Sequence, residues 1–456
     1  MNPIDPLAAE QGRLASLSRV SLLGFAGVAL ALFVWGVLFA PELRARADNP
    51  RRVQEELAIR RGSILDADGG VLAETVIDPE GLRRIYPVTE IGPAVGYYSF
   101  RHGTAGVEEG LNGTLRGDSA DFWRNHWRFD VLHLPRQGRD VRITLVARWQ
   151  RAAEALFGPA HGALVLISIP DRAILAMVSH AAYDPNLIDE RFESLTSAEG
   201  APLLNRATQG NYQPGAALQP YLVAAGLDEG LLSLADRWEG TDPALRIDGA
   251  ALECAARPEP AEVWLGLLQS GCPAPVADLG RRMGPGRVSE ALSAFGFYEA
   301  PQLPLAVASA DNEGIDDAGL AAAGQGNLTI SPLQLGLALA ALADGGQFAP
   351  SRLVLAVENE TGVWQPTAVA PPQRQAVASA AARQTLAGLN QAGATLEHSA
   401  WALAGADVSR LAWYQGVAPA AGPRYAVIVV IEGAQQAEEA GRIGRSLLLN
   451  LLQAPG

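Results

Sequence analysis

The chain has 456 residues, 48% of them apolar, enough to bury a large core with a smaller part beside it and too many for a disordered protein. Its formal charge of -14 argues against a nucleic-acid ligand, because binding a phosphate backbone takes clustered positive charge that releases counterions. All 35 basic residues are arginines; there is no lysine anywhere in the chain.

The first strong signal along the chain is residues 20–40, VSLLGFAGVALALFVWGVLFA, about one membrane thickness of helix without a charge or a proline. A cleaved signal peptide would have a shorter apolar region, so the segment reads as an uncleaved transmembrane anchor behind a short cytoplasmic tail, residues 1–19. Charge leaves the orientation open. Arg13 and Arg19 precede the span while Arg44, Arg46, Arg51 and Arg52 follow it, which counted naively keeps the large part inside; long domains, however, translocate largely regardless of such charges. Residues 44–61 read as a solvated, arginine-rich stalk. From Gly62 to about Arg142, short apolar runs broken by Gly, Pro and Asp predict irregular β structure, so residues 41–142 form a small pedestal.

A larger domain, residues 143–456, follows. Over residues 144–157, Leu145, Trp149, Ala152, Ala153 and Leu156 recur at helical spacing and predict an amphipathic helix. Residues 163–168 and 173–179 flank Ile169-Pro170-Asp171-Arg172 and predict a β-hairpin turning at Pro-Asp. A second hairpin is expected from 411–417 and 425–432. The tail, 437–452, reads as a helix with Ile443, Leu447, Leu448 and Leu451 on one face. Strands at both ends of a segment whose middle is helix-rich imply one sheet assembled from distant pieces, an α+β domain.

Cys254 and Cys272 are too few for a disulfide framework and lack the paired spacing of a zinc site; one bridge and two buried thiols are both open. The six histidines show no H-x-x-x-H spacing, so neither a metal nor a cofactor is expected.

Several segments in order resemble the class B penicillin-binding proteins, the D,D-transpeptidases that cross-link peptidoglycan. Arg61-Gly62-Ser63-Ile64-Leu65-Asp66, with Gly69 and Leu72-Ala73, is similar to the family's RGxIxD opening of the pedestal. Gly103 to Glu108, GTAGVE, resembles its GxxGxE element, and Met177 to Asn186, MVSHAAYDPN, its MxSxPxYDPN. Gly324-Gln325-Gly326 with Ser331-Pro332-Leu333-Gln334 resembles GQG followed by TPLQ. The resemblance implies a penicillin-binding transpeptidase/β-lactamase-like fold, an antiparallel sheet flanked by helices, above an N-terminal β-rich pedestal and one transmembrane helix.

The motifs that carry the family's chemistry are not intact. Where S-x-x-K should open a buried helix, the chain reads Ala216-Ala217-Leu218-Gln219. An alanine methyl cannot form an acyl intermediate, and a carboxamide cannot act as general base. The S-x-N position holds Ser270-Gly271-Cys272, and K-T-G is reduced to Leu403-Ala404-Gly405. With no lysine in the chain, no shift of register restores the missing ones. Cys272 has no evident base beside it in sequence and reads as a buried or bridged thiol; His398 reads as a surface or satisfied core histidine.

The expectation is a pseudoenzyme with a regulatory or scaffolding role in peptidoglycan synthesis, in the bacterial cytoplasmic membrane with its large domain outside. The resemblance implies a polytopic cell-wall glycosyltransferase and other cell-wall synthesis proteins as partners. Two alternatives stand beside it: a module sensing peptidoglycan stems or β-lactams non-covalently, and a diverged transpeptidase with an unrecognised nucleophile.

Overall fold

The computed structural model describes residues 6–35, 39, 56–79, 81–118, 126–132, 134, 136–260, 262–308, 314–405 and 409–453. It divides into two units, Met1–Ile59 and Arg60–Gly456.

In the first unit, a helix runs over Pro6–Phe33, starting well before the apolar stretch read from sequence. Its window Ser16–Phe33 is long and apolar enough to cross a membrane, and Leu22, Leu23 and Phe25 are 70–79% exposed. A helix apolar on every side finds its solvent in lipid rather than water. The far end of the expected span, residues 36–38 and 40, and the stalk up to residue 55 lie outside the described residues.

The second unit is built on two six-stranded sheets. The pedestal sheet runs Trp364–Pro366, Val354–Glu358, Val141–Ile143, Ile64–Leu65, Val71–Asp78, Gly81–Ile85, so the two strands at one end come from far along the chain. At its centre Glu108 is fully buried between Arg61 and Arg84, 2.8 and 2.7 Å away, and accepts from Tyr86 Oη at 3.3 Å. The two guanidiniums hold its carboxyl below the usual range even though burial pushes it up. The arginine of RGSILD and the glutamate of GTAGVE therefore form one ion pair across the pedestal.

The second sheet is antiparallel throughout. Its order is Asn390–Ala392, Thr395–Ala404, Ser409–Ala418, Tyr425–Glu432, Gly162–Ser168, Ile174–His180. Both hairpins read from sequence lie in it, paired through the central contact of Tyr425–Glu432 with Gly162–Ser168. Its strands Gly162–Ser168 and Tyr425–Glu432 are buried almost throughout, which is why they read as continuous apolar runs rather than alternation. The C-terminal helix Glu438–Gln453 packs its Ile443, Leu447, Leu448 and Leu451 face on the sheet. Against the sheet also pack Pro332–Ala343, opened by a capping box from Ser331 and Gln334, and the turn before Gln219–Asp228. The helix expected from residue 144 starts at Ala147. Thr144 is instead held extended, its amide donating to Leu353 O at 2.8 Å and its hydroxyl to Ile174 O at 2.6 Å.

Candidate functional site

The strand Thr395–Ala404 is the line on which all three degenerate motif positions meet. The first sits in a short 3-10 turn, Gly215–Leu218, that leads into the helix Gln219–Asp228. Gly215 has φ +56°, and a Cβ there would stand 2.2 Å from Trp401 O, so only glycine lets the turn lie this close to the strand. Its amide donates to Gly324 O at 2.9 Å, tying the Gly324-Gln325-Gly326 segment to the same turn. Ala216 follows with no exposed surface at all.

Gln219, one turn further on, is also fully buried and is the first link of a polar chain through the core. Its Nε2 donates to Leu267 O at 3.4 Å, and its Oε1 lies 3.2 Å from His398 Nε2. The other imidazole nitrogen, Nδ1, faces Gln415 Nε2 at 3.2 Å. An amide N–H must donate, so Nδ1 accepts and the single ring proton sits on Nε2, donated to Gln219. Gln415 Nε2 donates also to Ala217 O at 2.8 Å, and Gln415 Oε1 accepts from Tyr221 Oη at 2.6 Å. Every member is neutral. Burial drives the imidazole down to about 3 and raises the Tyr221 phenol well above its ordinary range. His398 is thus the satisfied core histidine of the two readings.

The second position lies on the loop before the helix Pro273–Ala294. Gly271, φ +61°, presses on the same strand, where a Cβ would stand 2.2 Å from Ser399 O. Ser270 is buried, and its carbonyl accepts from the amides of Ala255 and Ala256 at 2.9 and 3.2 Å. Cys272 is bridged to Cys254 and no free thiol remains, which removes it as a nucleophile.

The third position ends the strand. Leu403 and Ala404 pair with Arg410 and Ser409, and Ser409 Oγ donates to Ala404 O at 3.0 Å. Gly405 is exposed at φ +70°, and residues 406–408 lie outside the described ones. Arg410, the cation paired across from Leu403, sits over the Trp401 ring and 3.8 Å from Glu253. The three positions are brought together in space; the groups at them are a methyl, a carboxamide, the Ser270 hydroxyl, a disulfide and an apolar side chain. Gln415 and Tyr221 were missed in the sequence; a lone glutamine inside the apolar strand Ser409–Ala418 was the available signal.

Known proteins share this architecture. The penicillin binding protein transpeptidase domain matches residues 162–453 and the penicillin binding protein A dimerisation domain residues 61–141. The peptidoglycan D,D-transpeptidase PbpA of Mycolicibacterium smegmatis is 29% identical, over 91% of this chain and 93% of its own. That of Mycobacterium tuberculosis is 28% identical over 96% and 99%. The crystal structure of PBPA from M. tuberculosis superposes with a TM-score of 0.76 at 28% identity, covering 86% of this chain and all of that one. The same mycobacterial protein, solved as a penicillin G acyl-enzyme complex, also gives 0.76, at 26% identity over 86% and 100%. With the transpeptidase match running through most of the chain and the pedestal matched in its proper place before it, the chain belongs to the class B penicillin-binding proteins.

Proposed function

We propose that this protein is a pseudoenzyme of its family, a membrane-anchored scaffold with a regulatory or assembly role in peptidoglycan synthesis, its large unit outside the cytoplasmic membrane. The observation that carries the reading is the pair Ala216 and Gln219 at the turn where a nucleophile and its base would stand. A methyl group has no lone pair to attack a carbonyl. A carboxamide cannot take a proton, and this one is already bonded to Leu267 O and His398. The Cys254–Cys272 bridge supports the outward placement, because disulfides persist in oxidising compartments. The anchor and the pedestal supply the surfaces that a polytopic glycosyltransferase partner would use.

The test is covalent labelling of the full-length chain in detergent with a fluorescent penicillin, read on a denaturing gel and by intact mass. The M. tuberculosis relative, which has been solved as acyl-enzyme complexes, is the positive control. We expect the control to be labelled and this chain to show neither fluorescence nor added mass. A stable adduct would overturn the pseudoenzyme reading.

A further inference from the structure

Three of the large apolar side chains that the second unit exposes fall in one short stretch of the pedestal: Trp127 is 58% exposed, Leu132 61% and Leu134 45%. A fourth, Val363, 57% exposed, belongs to the turn at 359–363 that braces this stretch, where Arg128 reaches Glu360 at 3.3 Å and the Val363 amide donates to Asn359 Oδ1 at 2.9 Å. Apolar groups gathered in this way on a surface mark a contact with something other than water.

The stretch is a built lobe. His126–Val131 forms a π-helical turn, and the amides of Leu132 and Leu134 donate to Trp127 O and Arg128 O at 2.9 and 3.0 Å. Its root is Phe129, 9% exposed, whose ring carries the guanidiniums of Arg128 and Arg136 at 5.5 and 4.5 Å. Arg136 is tied in turn to Asp118 at 2.9 Å. Just beyond the lobe, Gln137 makes a parallel bridge with Arg60, and Gly138 N donates to Arg60 O at 2.8 Å. Arg60 is the first residue of the second unit, where the chain arrives from the N-terminal apolar helix.

Place and chemistry select the same occupant. The lobe is rooted where the anchored chain enters, so the surface nearest to it along the chain is the bilayer. A tip of one indole and two leucines with arginines at its root has the composition of a membrane interface, where tryptophan lies at the headgroup level and guanidiniums stay with the phosphates. Backbone that enters such a region must satisfy its own polar groups, and the Leu132 and Leu134 amides are bonded inside the lobe. We propose that Trp127, Leu132 and Leu134 form a second membrane contact, inserting into the headgroup region of the leaflet that faces the large unit. The proposal rests on the reading that the N-terminal helix anchors the chain and is independent of the pseudoenzyme reading. Such a contact would limit how the large unit tilts over the bilayer.

The experiment places the full-length chain, one copy per disc, in nanodiscs of phosphatidylcholine or of phosphatidylcholine brominated in its upper acyl chains. The quenching of tryptophan emission in the parent, less that in Trp127→Phe, isolates Trp127 from Trp35 and the other indoles. We expect Trp127 to be quenched by the brominated lipid, and Leu132→Glu to reduce that quenching about threefold, because a carboxylate is costly beneath the headgroups. A nitroxide on Leu132→Cys gives a second reading should the Trp127 substitution disturb the lobe; Cys254 and Cys272 are bridged and take no label. Oxygen should relax this label more than a water-soluble nickel chelate does. An unquenched Trp127, or a label relaxed more by nickel, would overturn the assignment and leave the patch to a protein partner. Incorporation into the discs is scored separately. A chain that fails to incorporate removes the anchor on which the proposal rests, whereas an incorporated chain with an unquenched Trp127 removes only the contact of the lobe.

Discussion

His398 shows how one side chain records what has become of the site. A lysine at position 219 would bring a charge beside it; the imidazole, held near 3 by burial, remains neutral across the physiological range and relays hydrogen bonds between Gln219 and Gln415. The sign of the resulting pH dependence follows. The folded value lies below the unfolded one, about 6.5, so this group's contribution is fully present above pH 6.5 and is lost as the pH falls toward 3. Glutamine can bond on both sides but does not titrate. We expect His398→Gln to cost about 1–2 kcal/mol at pH 7.5, from imperfect geometry in a buried network, and to flatten the decline of stability between pH 6.5 and 4. Denaturant melts of the two proteins across that range check it; parallel curves would show that His398 is not the group being titrated.

At the scale of elements, the turn Gly215–Leu218 carries Ala216 and leads directly into Gln219. Ala216 is fully buried beside Gly215, which lies against the strand Thr395–Ala404 and Gly324. Ala216→Ser should therefore fold within about 1 kcal/mol of the parent and still form no β-lactam adduct, because residues that act as a unit fail as a unit. Intact-mass measurement after penicillin treatment decides this, and an acylated Ala216→Ser protein would mean that the surviving groove retains its own means of activation. The same elements show what sequence discloses. The two hairpins and the C-terminal helix were legible because short apolar runs, turn residues and a 3.6-residue stripe are local. The pairing of Val354–Glu358 with Val141–Ile143 was not, since nothing local in a short strand names a distant partner. The start of the helix at Ala147 was missed for the same reason: Thr144 looked helical, but its hydroxyl is claimed by Ile174 O and its amide by Leu353 O, both far along the chain. For the candidate site, the lost groups were plain from residue identity alone. Their replacement by a continuous neutral network was hidden, because Gln219, His398, Gln415 and Tyr221 come from three separate elements.

For the whole molecule, the question that the scaffold reading raises is which surfaces meet its partners. An interface acts through burial and shape, which survive the loss of catalytic side chains, whereas a closed cleft contributes only if something binds in it. The pedestal holds its buried Arg61–Glu108–Arg84 centre, and the N-terminal helix exposes Val20, Leu22, Leu23, Phe25, Val28 and Leu30. Two altered full-length chains separate these possibilities by co-purification with cell-wall synthesis proteins from the native membrane. One exchanges residues 16–33 for an unrelated transmembrane helix. The other carries Ala404→Trp, which adds bulk at the partly exposed third motif position, away from the buried turn at Ala216. Helix contacts in lipid depend on the shape of the small and large side chains rather than on hydrophobicity, so an unrelated helix of equal length keeps the anchor and loses the fit. We expect the exchanged helix to reduce partner recovery several-fold and Ala404→Trp to leave it unchanged. The reverse outcome, partners retained by the exchanged helix and lost on filling the groove, would mean that the old cleft is what other proteins or peptides engage, and the scaffold reading would give way to a ligand-sensing one.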